Sequence, residues 1–448
     1  MLQRLHGLSD REAVDAFAFD LRWKYAAGTL DFDHPGFAHT VLVDFRERLR
    51  RSKRPNRIFE AALAVAKEAG LVGRKRVLDS TALYDAVATQ DTVTMIRAAI
   101  RGLLRVVDPT LGAEIRTVLR RADDYKDAGK PVCDWEDAAA REALVDALAH
   151  DGFAALSVLE GRKLAAPVQE AAELLATVLG QDLERLDNGR FRIARRVAPD
   201  RVISTVDPEA RHGHKTQSRH FDGYKGHAID PDSEIITATE VTAGNVGDGA
   251  VAETLVGAEL AEAKKADADE PVEIYGDASY GTADLVEKIE AAGAEANVKV
   301  QAASPPRVGL YSQDAFKIDT QAGTACCPAG NVVRLRVLQD GAAVADFSAS
   351  CTSCPLRTQC TTSESGRELR IHPKHATLVR SRARQRDPDW KQRYRATRPK
   401  VERKIGHLMR RKHGGRRARM RGCEKIRCDF ALLAAATNLA RLAVLRVV

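Results

Sequence analysis

The chain has 448 residues, 44% of them hydrophobic and 29% charged, with a formal net charge of +8. That length allows a large buried core and two to four structural units. No apolar run approaches the roughly 20 residues of a membrane-crossing helix, and Met1-Leu2-Gln3-Arg4 does not open a signal peptide, so a cytoplasmic protein with no membrane partner is the expectation.

The charge is unevenly placed. Residues 367–427 hold 23 Lys and Arg against five Asp and Glu, about +18, which leaves about −10 for the remainder. Such asymmetry points to a polyanionic partner. Five of the eight cysteines fall between Cys326 and Cys360. In a chain with no secretory features, that clustering favours a metal over disulfides.

In chain order, residues 1–70 read as a small helical domain. Ser9 and Glu12 form a capping-box pattern opening a helix over 13–21. Further helices are predicted over 39–51 and 58–69. Residues 71–89 hold a first core strand, in which Arg76-Val77-Leu78 leads to Asp79. Val93, Ile96 and Ile100, then Leu144 and Leu148, repeat at helical spacing, and 170–186 continues the pattern. Residues 90–190 therefore read as a helical insertion.

Strand signals return at 201–206. The polar stretch 211–219, with His212, His214 and Lys215, suits a loop or hairpin end near phosphates. Strands are predicted over 221–229 and 234–241, joined through Asp230-Pro231-Asp232-Ser233. Asp248 precedes an amphipathic helix. Val272 to Tyr275 reads as a buried strand that stops at Gly276 and delivers Asp277, where an α/β sheet usually places its chemistry. Thr282 caps the next helix, over 282–292, and a strand follows over 296–300. This order of strands and helices suits an RNase H-like mixed sheet, assigned to 191–310 together with the first core strand.

Residues 311–370 form a small cysteine-rich insertion. Cys351 and Cys354 have the C-x2-C spacing of a zinc pair; Cys327 and Cys360 complete a closed four-thiolate site, with Cys326 as a substitute for Cys327. Residues 371–448 are the basic helical part of the core. There Pro399 is expected in the first turn of a helix whose apolar stripe is Val401, Ile405, Leu408 and Met409. Glu402, in the same turn, would gain from the positive helix end. A last helix over 423–448 closes the core.

Asp79, Asp277 and Glu402, on strand, strand end and helix, resemble the acid triad of the DDE transposases of bacterial insertion sequences. The resemblance is to the branch with a cysteine-bearing insertion before the Glu, and it runs over nearly the whole chain. It is carried by His6-Gly7-Leu8-Ser9-Asp10, by 207–212, by Phe221-Asp222-Gly223-Tyr224-Lys225, by 241–248 and 276–281, by Cys354-Pro355-Leu356 and by 401–408. It implies metal-dependent DNA cleavage and strand transfer at element ends. The three acids would hold Mg²⁺ or Mn²⁺, as hard oxygen donors suit. Lys215, Arg398, Arg403, Arg410 and Arg411 would contact double-stranded DNA, and a homo-oligomer would pair the element ends, associated with the nucleoid when DNA-bound. In the related signature Y-x2-R-x3-E-x6-K, Arg398 fits, but Arg395 stands at the Tyr position, one residue after Tyr394, and Met409 at the Lys position. Relatives carry more sequence ahead of the region matching Met1, so the chain is short at its N-terminus by resemblance. A transposase-derived DNA-binding protein without catalysis and an RNase H-like nuclease that cuts without joining are the alternatives.

Overall fold

The computed structural model describes all residues other than 29–32, 35, 217, 231–232, 266–269, 410–412 and 447–448. The chain opens with five helices: α1 (Leu2–His6), α2 (Asp10–Phe19), α3 (Leu21–Ala26), α4 (Thr40–Arg51) and α5 (Arg57–Glu68). Both bonds of the capping box form: Glu12 N donates to Ser9 Oγ, and Ser9 N donates to the Glu12 carboxylate. The expected helix over 13–21 is cut at Asp20, whose carboxylate caps Arg22 N and starts α3.

Strand β1 (Lys75–Tyr84) leads into α6 (Thr92–Val106), α7 (Pro109–Val118), α8 (Ala138–Leu159) and α9 (Ala166–Asp182). These four share a core of their own, including Met95, Ile96, Ile100, Leu103, Ile115, Leu148 and Leu175. The buried Asp151 accepts from Tyr125 OH and Arg120 N, both at 2.6 Å, and so fixes the link between α7 and α8. The helix expected to reach residue 186 ends at Asp182, and β2 (Leu183–Arg185) pairs with β3 (Phe191–Ile193).

The segment 201–206 is not a strand. Several of its backbone bonds go to Gln90 and Gln181 instead of a ladder. Val202 N donates to Gln181 Oε1 and Thr205 N to Gln90 Oε1, while Gln90 N donates to Ile203 O.

The central sheet comprises β1 with β4 (Arg211–Thr216), β5 (Arg219–Asp230), β6 (Ala238–Ala243), β7 (Glu273–Gly276) and β8 (Glu295–Val298). Its order is β4-β5-β1-β7-β8, with β6 also on β5. Strands β6, β5 and β1 are antiparallel; β1, β7 and β8 are parallel. Helix α10 (Asp248–Ala263) joins β6 to β7, and α11 (Ala283–Ala291) joins β7 to β8. This is an RNase H-like mixed sheet. The stretch expected as a loop or hairpin end, 211–219, is strand β4 and the start of β5, paired antiparallel as a hairpin. Pairing of Ile229 with Ala238 closes the β5–β6 pair; Pro231 and Asp232 of its expected turn lie outside the described residues.

The cysteine-rich part holds two three-stranded sheets. One is β9 (Lys317–Asp319), β10 (Thr324–Cys326) and β11 (Val332–Arg334). The other is β12 (Arg336–Val337), β13 (Ala343–Asp346) and β14 (Glu368–Ile371). Two single turns of helix, α12 (Ser348–Cys351) and α13 (Arg357–Cys360), carry three of the cysteines on or beside them, packed with Phe316, Phe347 and Ile371.

Three helices finish the chain: α14 (His375–Arg384), α15 (Pro388–Leu408) and α16 (Cys423–Val444). Phe430, Leu433 and Ala434 of α16 join Tyr224 and Val241 in the core on one sheet face. Pro399 is not in a first turn. It sits inside α15, where Pro388 takes the N-terminal position. Without an N–H, Pro399 leaves the Arg395 carbonyl without its usual helical donor. The burial of Trp390, Tyr394, Val401, Ile405 and Leu408 along one side of α15 offsets that loss. Glu402 is therefore mid-helix, beyond the reach of the positive helix end.

Candidate active site

The parallel register of β1 and β7 pairs Val77 with Tyr275. Two residues further on, Asp79 and Asp277 stand at the same level, where β7 has ended and β1 continues. Parallel neighbours lie roughly 4.8 Å apart, so two carboxylates reach one space. Asp277 Oδ1 accepts from Ser279 N at 2.9 Å, which fixes its own turn and leaves Oδ2 for other partners.

Helix α15 crosses beside this point. Tyr394, Arg398 and Glu402 follow at intervals of four and share a face. Tyr394 OH donates to Gly276 O at 3.1 Å, which ties the helix to the end of β7. Arg398 Nη2 then lies 2.8 Å from Asp79 Oδ1 and 3.5 Å from Asp277 Oδ2, and Nη1 lies 3.7 Å from Glu402 Oε1. One guanidinium thus faces all three expected acids. Asp79 and Arg398 are mostly buried, whereas the Glu402 side chain is 64% exposed.

Burial pushes the Asp79 carboxyl above its ordinary range, with Asp277 adding to the push; Arg398 and the Ser80 amide oppose it. Burial works against the Arg398 charge, but Asp79 and then Asp277 outweigh it and hold the guanidinium firmly protonated.

Behind Asp79 runs a polar network with no place in the sequence reading. Asp248 Oδ2 accepts from Ser80 Oγ at 2.7 Å, and its Oδ1 accepts from Lys225 Nζ at 3.0 Å. Asp248 read from sequence only as a helix opener. The buried His227 places Nδ1 2.8 Å from Tyr280 OH and Nε2 3.1 Å from Thr242 Oγ1. Burial lowers the His227 pKa to about 4; Asp248 opposes the shift and Lys225 adds to it. The unfolded chain takes up this proton near 6.5, the folded one only near 4. The contribution is therefore complete above pH 6.5 and is lost as pH falls toward 4. This group alone should cost about 3 kcal/mol across that window. Urea unfolding at stepped pH should show the loss, and His227→Gln should flatten it.

The expected DNA contacts are dispersed. Lys215 is exposed on β4, in a pocket that it shares with His214, Lys225, Asp79, Asp248 and Asp277. His214 packs edge-on against His220, and His212 bonds Asp222 at 2.6 Å. Arg403 pairs with Glu234 instead of facing the acids. Arg410 and Arg411 lie outside the described residues. Part of the basic segment is neutralised inside the fold: Arg380 and Arg384 grip Glu290, and Arg382 and Arg386 grip Asp314.

Cys327, Cys351, Cys354 and Cys360 line one small pocket, and all are free thiols. Cys326 points elsewhere, with Sγ 3.6 Å from Cys327 O. Burial pushes the Cys360 thiol up; Arg367 draws it down, and Cys351, Cys327 and Cys354 raise it again, so the four feel one another. Among the described residues, no group of three or more His, Cys, Asp or Glu is already set as a metal cage, at the thiols or at the acids.

Residues 326–443 match a family model described as Transposase DDE domain, and residues 1–48 match one described as Transposase domain (DUF772). Over those two regions the chain is similar to DDE transposases. No curated protein and no solved structure matches it. The DDE match takes in Glu402 and Arg398, while Asp79 and Asp277 lie between the two matched regions. Among the described residues, no helix is long and apolar enough to cross a membrane.

Proposed function

We propose that this chain is a transposase that cleaves DNA at the ends of its element and joins them to target DNA, with Asp79, Asp277 and Glu402 as the acids that hold divalent metal. The observation that carries this reading is the parallel register that sets Asp79 beside Asp277 under the Arg398 guanidinium. A cation already sits between the acids, and their donors are carboxylate oxygens of the kind Mg²⁺ and Mn²⁺ prefer. Bound there, the metal would supply an activated oxygen nucleophile and charge stabilisation at the phosphate. Arg398 must swing away to make room, and a phosphate oxygen is the natural acceptor for it. Tyr394 keeps α15 registered on Gly276 while that happens.

The test is nicking and joining of a labelled duplex carrying the element's own end, with Mg²⁺ or Mn²⁺. Glu402→Gln should lose both while still binding the duplex. Nicking at the native rate would remove Glu402 from the site. Nicking without joining by the native chain favours the nuclease alternative; binding without nicking favours the DNA-binding protein without catalysis.

The four thiols suit structural zinc, since an all-thiolate set leaves no open position for water. Closing them on the ion would displace the Asn331 Nδ2 contact on Cys327 Sγ, 3.6 Å in length. Elemental analysis of purified protein should find about one zinc per chain. Metal-free protein with an unchanged melting temperature would overturn the zinc reading.

A further inference from the structure

The pocket beside the acids has more than carboxylates in its lining. Lys225, Asp248, His214 and Lys215 line it together with Asp79 and Asp277. Lys225 is on β5, paired with Ala82, three positions beyond Asp79 on β1. Its side chain is only 15% exposed. Its ammonium donates to Val246 O at 2.8 Å and to Asp248 Oδ1 at 3.0 Å. An ammonium has three donors, so one remains for a ligand in the pocket. Asp248 is anchored in turn by Ser80, the neighbour of Asp79. The bonds therefore hold a partly buried cation at a fixed place relative to the acid that is deepest in the site. A lysine ammonium is a compact point charge, suited to one anionic oxygen.

We propose that Lys225 receives a non-bridging oxygen of the DNA phosphodiester presented to Asp79 and Asp277, and that Asp248 is its positioning residue. The proposal rests on the cleavage reading above. The group it neutralises is one the acids would otherwise repel. A Lys–Asp pair serving only to fasten α10 to β5 would make the same bonds but would not sense charge on the DNA.

The experiment measures metal-free binding, in EDTA, of two duplexes spanning the junction between the element end and its flank. One is all-phosphate; the other carries a neutral methylphosphonate at the junction. The native chain should bind the neutral duplex roughly ten-fold more weakly. Lys225→Met should lose a similar factor on the phosphate duplex and show no further loss on the neutral one. Asp248→Asn keeps an amide oxygen for Lys225 but removes the counter-charge. It should bind the phosphate duplex several-fold more tightly, with no gain on the neutral duplex. That second variant decides the matter if Lys225→Met does not fold. Equal methylphosphonate sensitivity in native and Lys225→Met chains, or the same affinity change in Asp248→Asn on both duplexes, overturns the proposal. Because binding is read without metal, nicking by Asp277→Asn, assayed alongside, reports separately on the cleavage reading.

Discussion

Asp277→Asn should lower Mg²⁺-dependent nicking of the element end by roughly 10³-fold, about 4 kcal/mol of lost transition-state stabilisation, in a chain that still folds and binds DNA. The choice of Asp277 over Asp79 follows from the ion pairs. Asp79 is the closer partner of Arg398, at 2.8 Å against 3.5 Å, and the guanidinium is only 11% exposed. Taking the charge from Asp79 would strand a buried cation, at a cost of about 3 kcal/mol in stability. Lost activity would then be confounded with unfolding. The Asp277 side chain is 39% exposed, and an Asn there still offers an oxygen to Ser279 N. Melting temperature and metal-free DNA binding should therefore stay near native. Native-like nicking by Asp277→Asn would mean that the acid pair is not the catalytic centre.

Under the proposed reading, metal and Arg398 would compete for one space. The guanidinium lies between Asp79 and Asp277 and offsets part of their charge, which lets two adjacent carboxylates coexist. Burial alone pushes Asp79 toward its neutral form. DNA that draws Arg398 onto a phosphate would free the acids when substrate is in place, and so order the assembly of the site.

The two Asp positions were legible because strand sequences advertise themselves: Val77-Leu78 leads to Asp79, and Val272 to Tyr275 leads through Gly276 to Asp277. Asp277 does follow a strand end, but Asp79, also read as a strand end, lies inside β1, which pairs with β5 on to Tyr84. Caps were equally plain: Ser9 and Thr282 bond the backbone amides that their spacing predicts. What sequence hid depends on partners far along the chain. Val202 and Ile203 look like a strand, yet their backbone bonds go to Gln181 and Gln90. Pro399 looks like a helix start, yet tertiary burial of Tyr394 and Val401 carries α15 through it. Arg398 was read as a phosphate contact because a lone arginine carries no sign that two neighbouring strands bring their acids together beneath it. Asp248 announced only a helix start; its bonds to Ser80 and Lys225 need β1, β5 and α10 in place. The four-residue spacing of Tyr394, Arg398 and Glu402 was the one local signal that could have joined them.

Gly281→Ala should unfold the chain or leave it destabilised by more than about 3 kcal/mol. A Cβ at Gly281 would lie 1.7 Å from Lys299 O and 2.7 Å from Lys299 C. Both obstacles are backbone atoms at the end of β8, and Lys299 N is itself bonded to Gly276 O. The strand cannot retreat without breaking its parallel pairing with β7, the strand that leads to Asp277. Thr282, the next residue, caps α11 through Leu285 N, so the loop cannot shift outward without losing that cap. Gly281 is needed for room, since its φ lies outside the left-handed range. Gly293 gives the contrast: its φ is +75° and nothing stands within 4 Å of its Cβ position. Gly293→Ala should then cost only about 1 kcal/mol of backbone strain. Urea denaturation of the two variants separates close approach from backbone conformation. If Gly281→Ala proves as stable as Gly293→Ala, the tight junction between the Asp277 loop and β8 is not what holds the acids in register.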